Sequence, residues 1–144
     1  MNILVLNVGS SSIKAAIVHS ETGLRSFSVE VERVPSQPVA HFSDGVEIEF
    51  PEAGHEAVLR ALMPFLRNKI KDLAVRGIGH RVAHGGSKFD RPVKLSPELV
   101  LELEELNDLA PIHNPLIMMG VRIGMEFFSE LPHVAVFDTS FHHT

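Results

Sequence analysis

The chain has 144 residues, of which 44% are apolar, and carries a formal net charge of −5. Such a length and apolar content suit one domain with a buried core and exclude a disordered polymer. The basic residues are scattered, which excludes the concentrated positive footprint of a nucleic-acid-binding surface, and no apolar run is long enough to cross a bilayer.

No cysteine is present, so disulfides and thiolate metal sites are ruled out. The N-terminus lacks the basic region, apolar stretch and small-residue cleavage site of a secretory signal. Both features point to a cytoplasmic location.

In chain order, Ile3-Leu4-Val5-Leu6 reads as a buried strand, and Ile13, Ala15 and Ile17 alternate with Lys14 and Ala16 as a second. Glu21-Thr22-Gly23 is a turn, and Ser26 to Val34 alternates as a third strand. These form an antiparallel meander, with an extra strand at Val46 to Phe50 beyond the loop at Pro35 and Pro38. Ala57, Val58, Ala61, Leu62, Phe65 and Leu66 then recur at helical spacing, and Pro64 is expected to kink or interrupt that helix. Val75 to Val82 returns to a strand. Ser96-Pro97 opens a second helix with Leu99, Leu103 and Leu106 on one stripe, while Glu102, Glu104 and Glu105 form its solvated face. Asn114-Pro115 opens a third, Leu116 to Phe128, apolar on nearly every side and so expected to be buried. Gly120 and Gly124 would allow it close approach to a neighbour. His133 to Phe137 is a last strand, ending at Asp138. The sum is an α/β domain, a mixed sheet with a β-meander followed by strand–helix–strand units.

Four segments carry chemistry. Gly9-Ser10-Ser11-Ser12 offers N–H groups and hydroxyls that could cradle a phosphate beside Lys14, although a plain solvated turn fits the same letters. Asn7 places an amide among buried aliphatic positions, where it needs a backbone or ligand partner. In GIGHRVAHGG (residues 77–86), Arg81 emerges at a strand end before Gly85-Gly86, fit for clamping a carboxylate or phosphate or for a structural ion pair. His80 and His84 would share a metal only on a helix, because an extended backbone holds them roughly 13 Å apart. In APIHNP (residues 110–115), His113 precedes the start of the buried helix, a natural anion site, or merely orients its loop. In VAVFDTSFHH (residues 134–143), Asp138 stands at the carboxyl end of a strand, where such folds place their chemistry, with an Asx turn as the bland alternative. Lys69, Lys71 and Asp72 read as surface charges.

Taken together, LNVGSSSIK, GHRVAHGG, APIHNP and FDTSFH resemble the N-terminal half of the acetate kinase (acetokinase) family, within the acetate and sugar kinase/Hsp70/actin superfamily. The resemblance runs from Asn2 to His142. It implies a ribonuclease H-like, actin-like ATPase domain over residues 1–144. The implied activity is reversible transfer of the ATP γ-phosphoryl group to acetate, giving acetyl phosphate and ADP, with Mg2+ or, in its place, Mn2+. It assigns Asn7 and Asp138 to the magnesium site, and Lys14 with the Gly9, Ser10, Ser11 and Ser12 turn to ATP. Arg81 is assigned to the acyl or phosphoryl group, His113 to the active-site lining, and Asp138 to the catalytic acid. A carboxylate is already ionised at neutral pH, so Asp138 is better read as a magnesium and positioning residue than as a base.

Two positions depart from the family. Ala83 stands where valine is usual in the patch receiving the acetate methyl, and Ile112 where leucine is usual; the two methyls lost leave room for roughly one more carbon, as in propionate, and a propionate or butyrate kinase of the same family is an alternative. The family's C-terminal half, with its adenosine pocket and most dimer contacts, has no counterpart, so the chain reads as a fragment, inactive alone. A non-catalytic anion-binding fragment that needs a partner chain is the alternative. A homodimer is expected of the complete protein. For this chain, an apolar face left uncovered on the Leu116–Phe128 helix and the last strand leads to the expectation of self-association.

Overall fold

The computed structural model describes residues 1–82, 93–105 and 115–137. Two-residue alternation builds the meander. β1 (Asn2–Val8), β2 (Ile13–His19) and β3 (Arg25–Glu32) bury Leu4, Leu6, Ile13, Ala15, Ile17, Phe27, Val29 and Val31 on one face. Ile3, Val5, Asn7, Lys14, Ala16 and Val18 therefore fall on the other face. β3 stops short of Val34 because Arg33 takes a φ of 60°, which turns the chain out of the pleat.

The region read as a loop around Pro35 and Pro38 gives way to an additional strand. β4 (Val39–Phe42) pairs with β3, and β5 (Glu47–Glu49), shorter than the expected Val46–Phe50, pairs with β4. An Asp-Gly turn joins them: Gly45 has a φ of 93° and Val46 donates its N–H to Asp44 Oδ1 at 3.0 Å.

α1 (His55–Asp72) runs unbroken through Pro64. The stripe Val58, Leu59, Leu62, Met63, Leu66 and Ile70 buries itself against the sheet on both sides of the proline. Pro64 itself is exposed, so the carbonyl it leaves without a helical donor faces solvent and costs less there than in the core. Packing of the stripe outweighs the missing bond.

β6 (Val75–Val82) lies parallel to β1, and β8 (His133–Phe137) lies parallel to β6. β7 (Val93–Leu95), which no pattern in the sequence marked, pairs antiparallel with β8 at the edge. Among the described residues the sheet has eight strands in the order β5-β4-β3-β2-β1-β6-β8-β7.

α2 (Pro97–Glu105) starts as expected, with Ser96 Oγ accepting the Leu99 N–H at 3.1 Å. Leu99 and Val100 face the cluster of Leu95, Met118, Val121 and Ala135. The side chain of Leu103, with those of Glu102, Glu104 and Glu105, lies outside the described ones, as does Leu106.

α3 (Pro115–Phe127) is wedged between the two core clusters. A side chain at Gly120 would meet Val8 Cγ2 at 3.1 Å, and one at Gly124 would meet His80 Cε1 at 3.0 Å, so both glycines serve close approach to the sheet. Arg122 and Glu126 keep one stripe of the helix in water. Of the uncovered apolar face expected on α3 and β8, the α3 part is not found among the described residues, whereas β8 leaves Val134 and Val136 half-buried. Among the described side chains, the exposed large apolar residues are Met1, Leu24, Val46, Phe65 and Leu101, all elsewhere. Val134 and Val136 share the sheet face opposite the helices with half-buried Ile3, Val5 and Val18. No described helix is long and apolar enough to cross a membrane.

Candidate functional site

Because β1, β6 and β8 are parallel, their carboxyl ends meet at one rim of the sheet, where open α/β sheets bind ligands. Asn7 near the end of β1, Lys14 at the start of β2 and Arg81 near the end of β6 lie on the face opposite the helices. They line one groove of about 370 Å3, together with Val5, Ala16 and Glu30. Asn7 and Lys14 are ladder partners, and so are Lys14 and Glu30. Lys14 Nζ rests 3.5 Å from Glu30 Oε1, with both side chains substantially exposed. Such a pair is worth little in water, so the ammonium can exchange this carboxylate for another anion at small cost.

The Gly9–Ser12 turn is the next feature at this rim, and its carbonyls are all engaged. Gly9 N–H donates to Ser12 O at 2.8 Å and Val34 N–H donates to Ser11 O at 3.0 Å. Nε2 of His55, the first residue of α1, lies 2.9 Å from Gly9 O and 3.0 Å from Ser10 O. In a planar trans peptide the N–H of one residue points opposite to the C=O of the residue before it. Tying back the carbonyls of Gly9, Ser10 and Ser11 therefore turns the N–H groups of Ser10, Ser11 and Ser12 outward. Among the described residues none of these three donates to a backbone carbonyl. Outward-turned successive N–H groups are what a backbone anion site requires.

On the helix side of the same strands lies a buried histidine pair. His80 and His133 are 3% and 4% exposed, with His80 Nε2 3.0 Å from His133 Nδ1. His133 Nε2 is 2.9 Å from the Phe128 carbonyl, which can only accept, so Nε2 carries the proton and His133 Nδ1 accepts from His80 Nε2. Burial, with a smaller contribution from the neighbouring His133, pushes the His80 pKa down from 6.5 to about 3. Burial also lowers that of His133, against the opposing pull of the Phe128 carbonyl and Glu130. Both rings are therefore neutral near pH 7. His80 adjoins Arg81, so the pair fixes the strand that presents the guanidinium.

Ala83, Ile112, His113 and Asp138 lie outside the described residues, as do His84, Gly85 and Gly86. Of the residues singled out from sequence, Asn7, Lys14 and Arg81 are brought together beside the Gly9, Ser10, Ser11 and Ser12 turn. His55 and His133 carried no recognisable signal. His80 stands within the Gly-His-Arg segment, but only its partner on β8 reveals what it does. Among the described residues no cluster of three His, Cys, Asp or Glu side chains could hold a metal by itself. Asn7 lines the groove, and an amide oxygen is a donor of the hard class that Mg2+ prefers, an ion usually held by one or two carboxylates plus substrate phosphates and water.

Comparison with known proteins gives this geometry its relatives. The family model described as the acetokinase family matches residues 2–144. An acetate kinase of Pseudomonas aeruginosa (strain LESB58) is 39% identical over 145 residues, covering 98% of this chain and 36% of the relative. A crystal structure of a propionate kinase from Francisella tularensis subsp. tularensis SCHU S4 superposes with a TM-score of 0.78 at 34% identity, over 99% of this chain and 38% of that one. The Porphyromonas gingivalis acetate kinase structure gives 0.71 at 29% identity, over 99% and 38%. The chain thus spans somewhat more than a third of the length of these relatives. With their actin-like ATPase fold and a family match running from residue 2 to residue 144, this chain belongs to the acetokinase family.

Proposed function

We propose that this chain forms the acyl- and phosphate-facing part of an acetate kinase site, which transfers the γ-phosphoryl group of ATP to acetate. The observation that carries the reading is the convergence of Asn7, Lys14 and Arg81 on one groove beside a turn whose N–H groups face outward. The names of the relatives, acetate and propionate kinases, agree with it.

The reaction brings together two species that repel each other, a carboxylate and a triphosphate. Phosphoryl transfer asks for little covalent work by the protein, and catalysis rests on in-line positioning and neutralisation of charge. An acetate oxygen attacks the γ-phosphorus; the new O–P bond forms as the bond to the β,γ-bridging oxygen breaks, and ADP leaves with that electron pair. The Arg81 guanidinium holds the acyl carboxylate or the transferring group through paired N–H donors. Lys14 and the N–H groups of Ser10, Ser11 and Ser12 hold phosphate oxygens. His113 lines the acyl side. Asn7 and Asp138 would hold Mg2+, whose contribution is to neutralise the phosphate oxygens. In this reading the adenosine is bound by the part of the relatives' length that this chain does not span, and the chain alone is inactive.

Ala83 and Ile112 bound the acyl pocket, and the smaller side chain at 83 favours propionate more than valine would. The test is a chimera in which this chain replaces the matched third of the Pseudomonas aeruginosa acetate kinase, assayed for acetyl phosphate as its hydroxamate. Turnover is expected from the chimera and none from the short chain. A folded but inactive chimera, or turnover by the short chain alone, would overturn the respective half of the proposal.

A further inference from the structure

From the contacts of His55 we infer that it is a positioning residue, holding the Gly9–Ser12 turn in its anion-binding form from the first turn of α1. The inference rests on reading that turn as a phosphate loop.

Both groups within reach of His55 Nε2, the carbonyls of Gly9 and Ser10, are acceptors. Nε2 must therefore carry a proton, and its N–H is shared between the two. The ring is half-buried, and its own position is fixed from behind. Ala53 N–H donates to Pro35 O at 3.0 Å and Phe50 N–H to Pro38 O at 2.8 Å, tying the lead-in to α1 to the segment after β3. That same segment supplies the Val34 N–H on Ser11 O. One brace, made of residues 34–38 and 50–55, thus grips three successive carbonyls of the turn, two of them through the His55 side chain.

The consequence follows from peptide planarity. If the Gly9 or Ser10 carbonyl swings outward, the N–H of Ser10 or Ser11 swings inward, and the anion loses a donor while meeting a carbonyl oxygen. His55 therefore controls affinity for phosphate without touching it.

The test uses the full 144-residue chain, with tripolyphosphate as the probe and the backbone amide signals of Ser10, Ser11 and Ser12 as the readout. In the parent these amides shift saturably with the probe. His55→Phe keeps a planar ring but removes the donor, and should weaken binding about tenfold, with a thermal midpoint close to the parent's. His55→Gln places an amide N–H where Nε2 was and should recover most of the affinity. Equal binding by His55→Phe and parent overturns the role of His55 while leaving the loop reading intact. Absence of any shift at Ser10–Ser12 in the parent overturns the loop reading and this inference with it. A measurement on the parent guards against a misfolded variant: the neutral ring must be protonated at Nε2, and an Nδ1–H tautomer would overturn the inference without any substitution.

Discussion

The imidazole of His80 on β6 donates to that of His133 on β8 across 3.0 Å, and the two rings stack with centroids 5.2 Å apart inside the protein. Both are neutral because burial opposes the charged form. The unfolded chain binds a proton on such a histidine near pH 6.5, whereas the folded chain resists until about pH 3 for His80. A folded-state pKa below the unfolded one means that stability is complete above about pH 6.5 and falls as pH drops toward 3. For His80 alone the loss by pH 4.5 is about 2–3 kcal/mol. Urea unfolding at pH 7.0, 5.5 and 4.5 measures it. The decline should be shallower in His80→Asn, which cannot titrate, and equal pH slopes in the two proteins would contradict the linkage.

Gly124 is what lets α3 lie against this pair. A methyl there would stand 3.0 Å from His80 Cε1 and 3.5 Å from His133 Cε1. Overpacking of this kind costs about 1–3 kcal/mol, against about 1 kcal/mol gained by replacing glycine within a helix. Gly124→Ala should therefore be net destabilising by about 1 kcal/mol in denaturant unfolding. A stabilised variant would show that α3 has room to move off the sheet.

Pro64 makes the opposite case. It is exposed within α1, and the helix passes through it without interruption. Pro64→Ala restores an N–H and relieves the ring's crowding of the preceding turn, while it also frees the unfolded chain. The first effect is larger, so the variant should gain about 1–2 kcal/mol, read as a rise in the urea midpoint at unchanged slope. No gain would mean that the proline's missing N–H and its ring cost α1 little at this exposed position.

These elements show where sequence was informative. A continuous apolar run located β1, and two-residue alternation located β2 and β3 because only one of their faces is covered by helices, which leaves period and burial in agreement. Pro64 does not interrupt α1, because the buried stripe overrides a propensity of a few kcal/mol. β4 and β7 were missed for another reason: both are short, and β7 is a three-residue edge strand whose existence depends on β8. Asp44-Gly45 was the available clue to the β4–β5 hairpin. For the site, Asn7, Lys14 and Arg81 were legible because each ends or begins a strand next to a glycine-rich joint. His55 was not, since its partners lie 46 and 45 residues away and nothing local to it marks the contact. For His133, the Phe128 carbonyl lies five residues away, but its His80 partner lies 53 residues away.

Arg81 tests the charge argument directly. Lysine keeps the positive charge but not the paired, planar donors that match a carboxylate or phosphate. In the chimera with the Pseudomonas aeruginosa relative, Arg81→Lys should lower kcat/KM for acetate by about 10²-fold or more, which corresponds to some 2.7 kcal/mol. Arg81→Ala should fall further, and its thermal midpoint should stay near the parent's because the residue sits at the groove rather than in the core. If lysine preserved full activity, simple charge neutralisation would suffice and the bidentate clamp would be wrong.

Ala83 separates acyl preference from catalysis. If residue 83 bounds the acyl pocket as proposed, a side chain two methyls smaller than valine leaves more room for the acyl tail, and one methylene in an apolar pocket is worth only about 1–3 kcal/mol of discrimination. Propionate should therefore be favoured modestly, through KM rather than kcat, since the extra carbon contacts the pocket equally in the ground and transition states. Ala83→Val in the chimera should raise the acetate-to-propionate ratio of kcat/KM by roughly 10-fold, mostly by weakening propionate. A ratio unchanged by the added methyls would mean that the acyl tail does not reach residue 83, and that pocket size is set by other side chains.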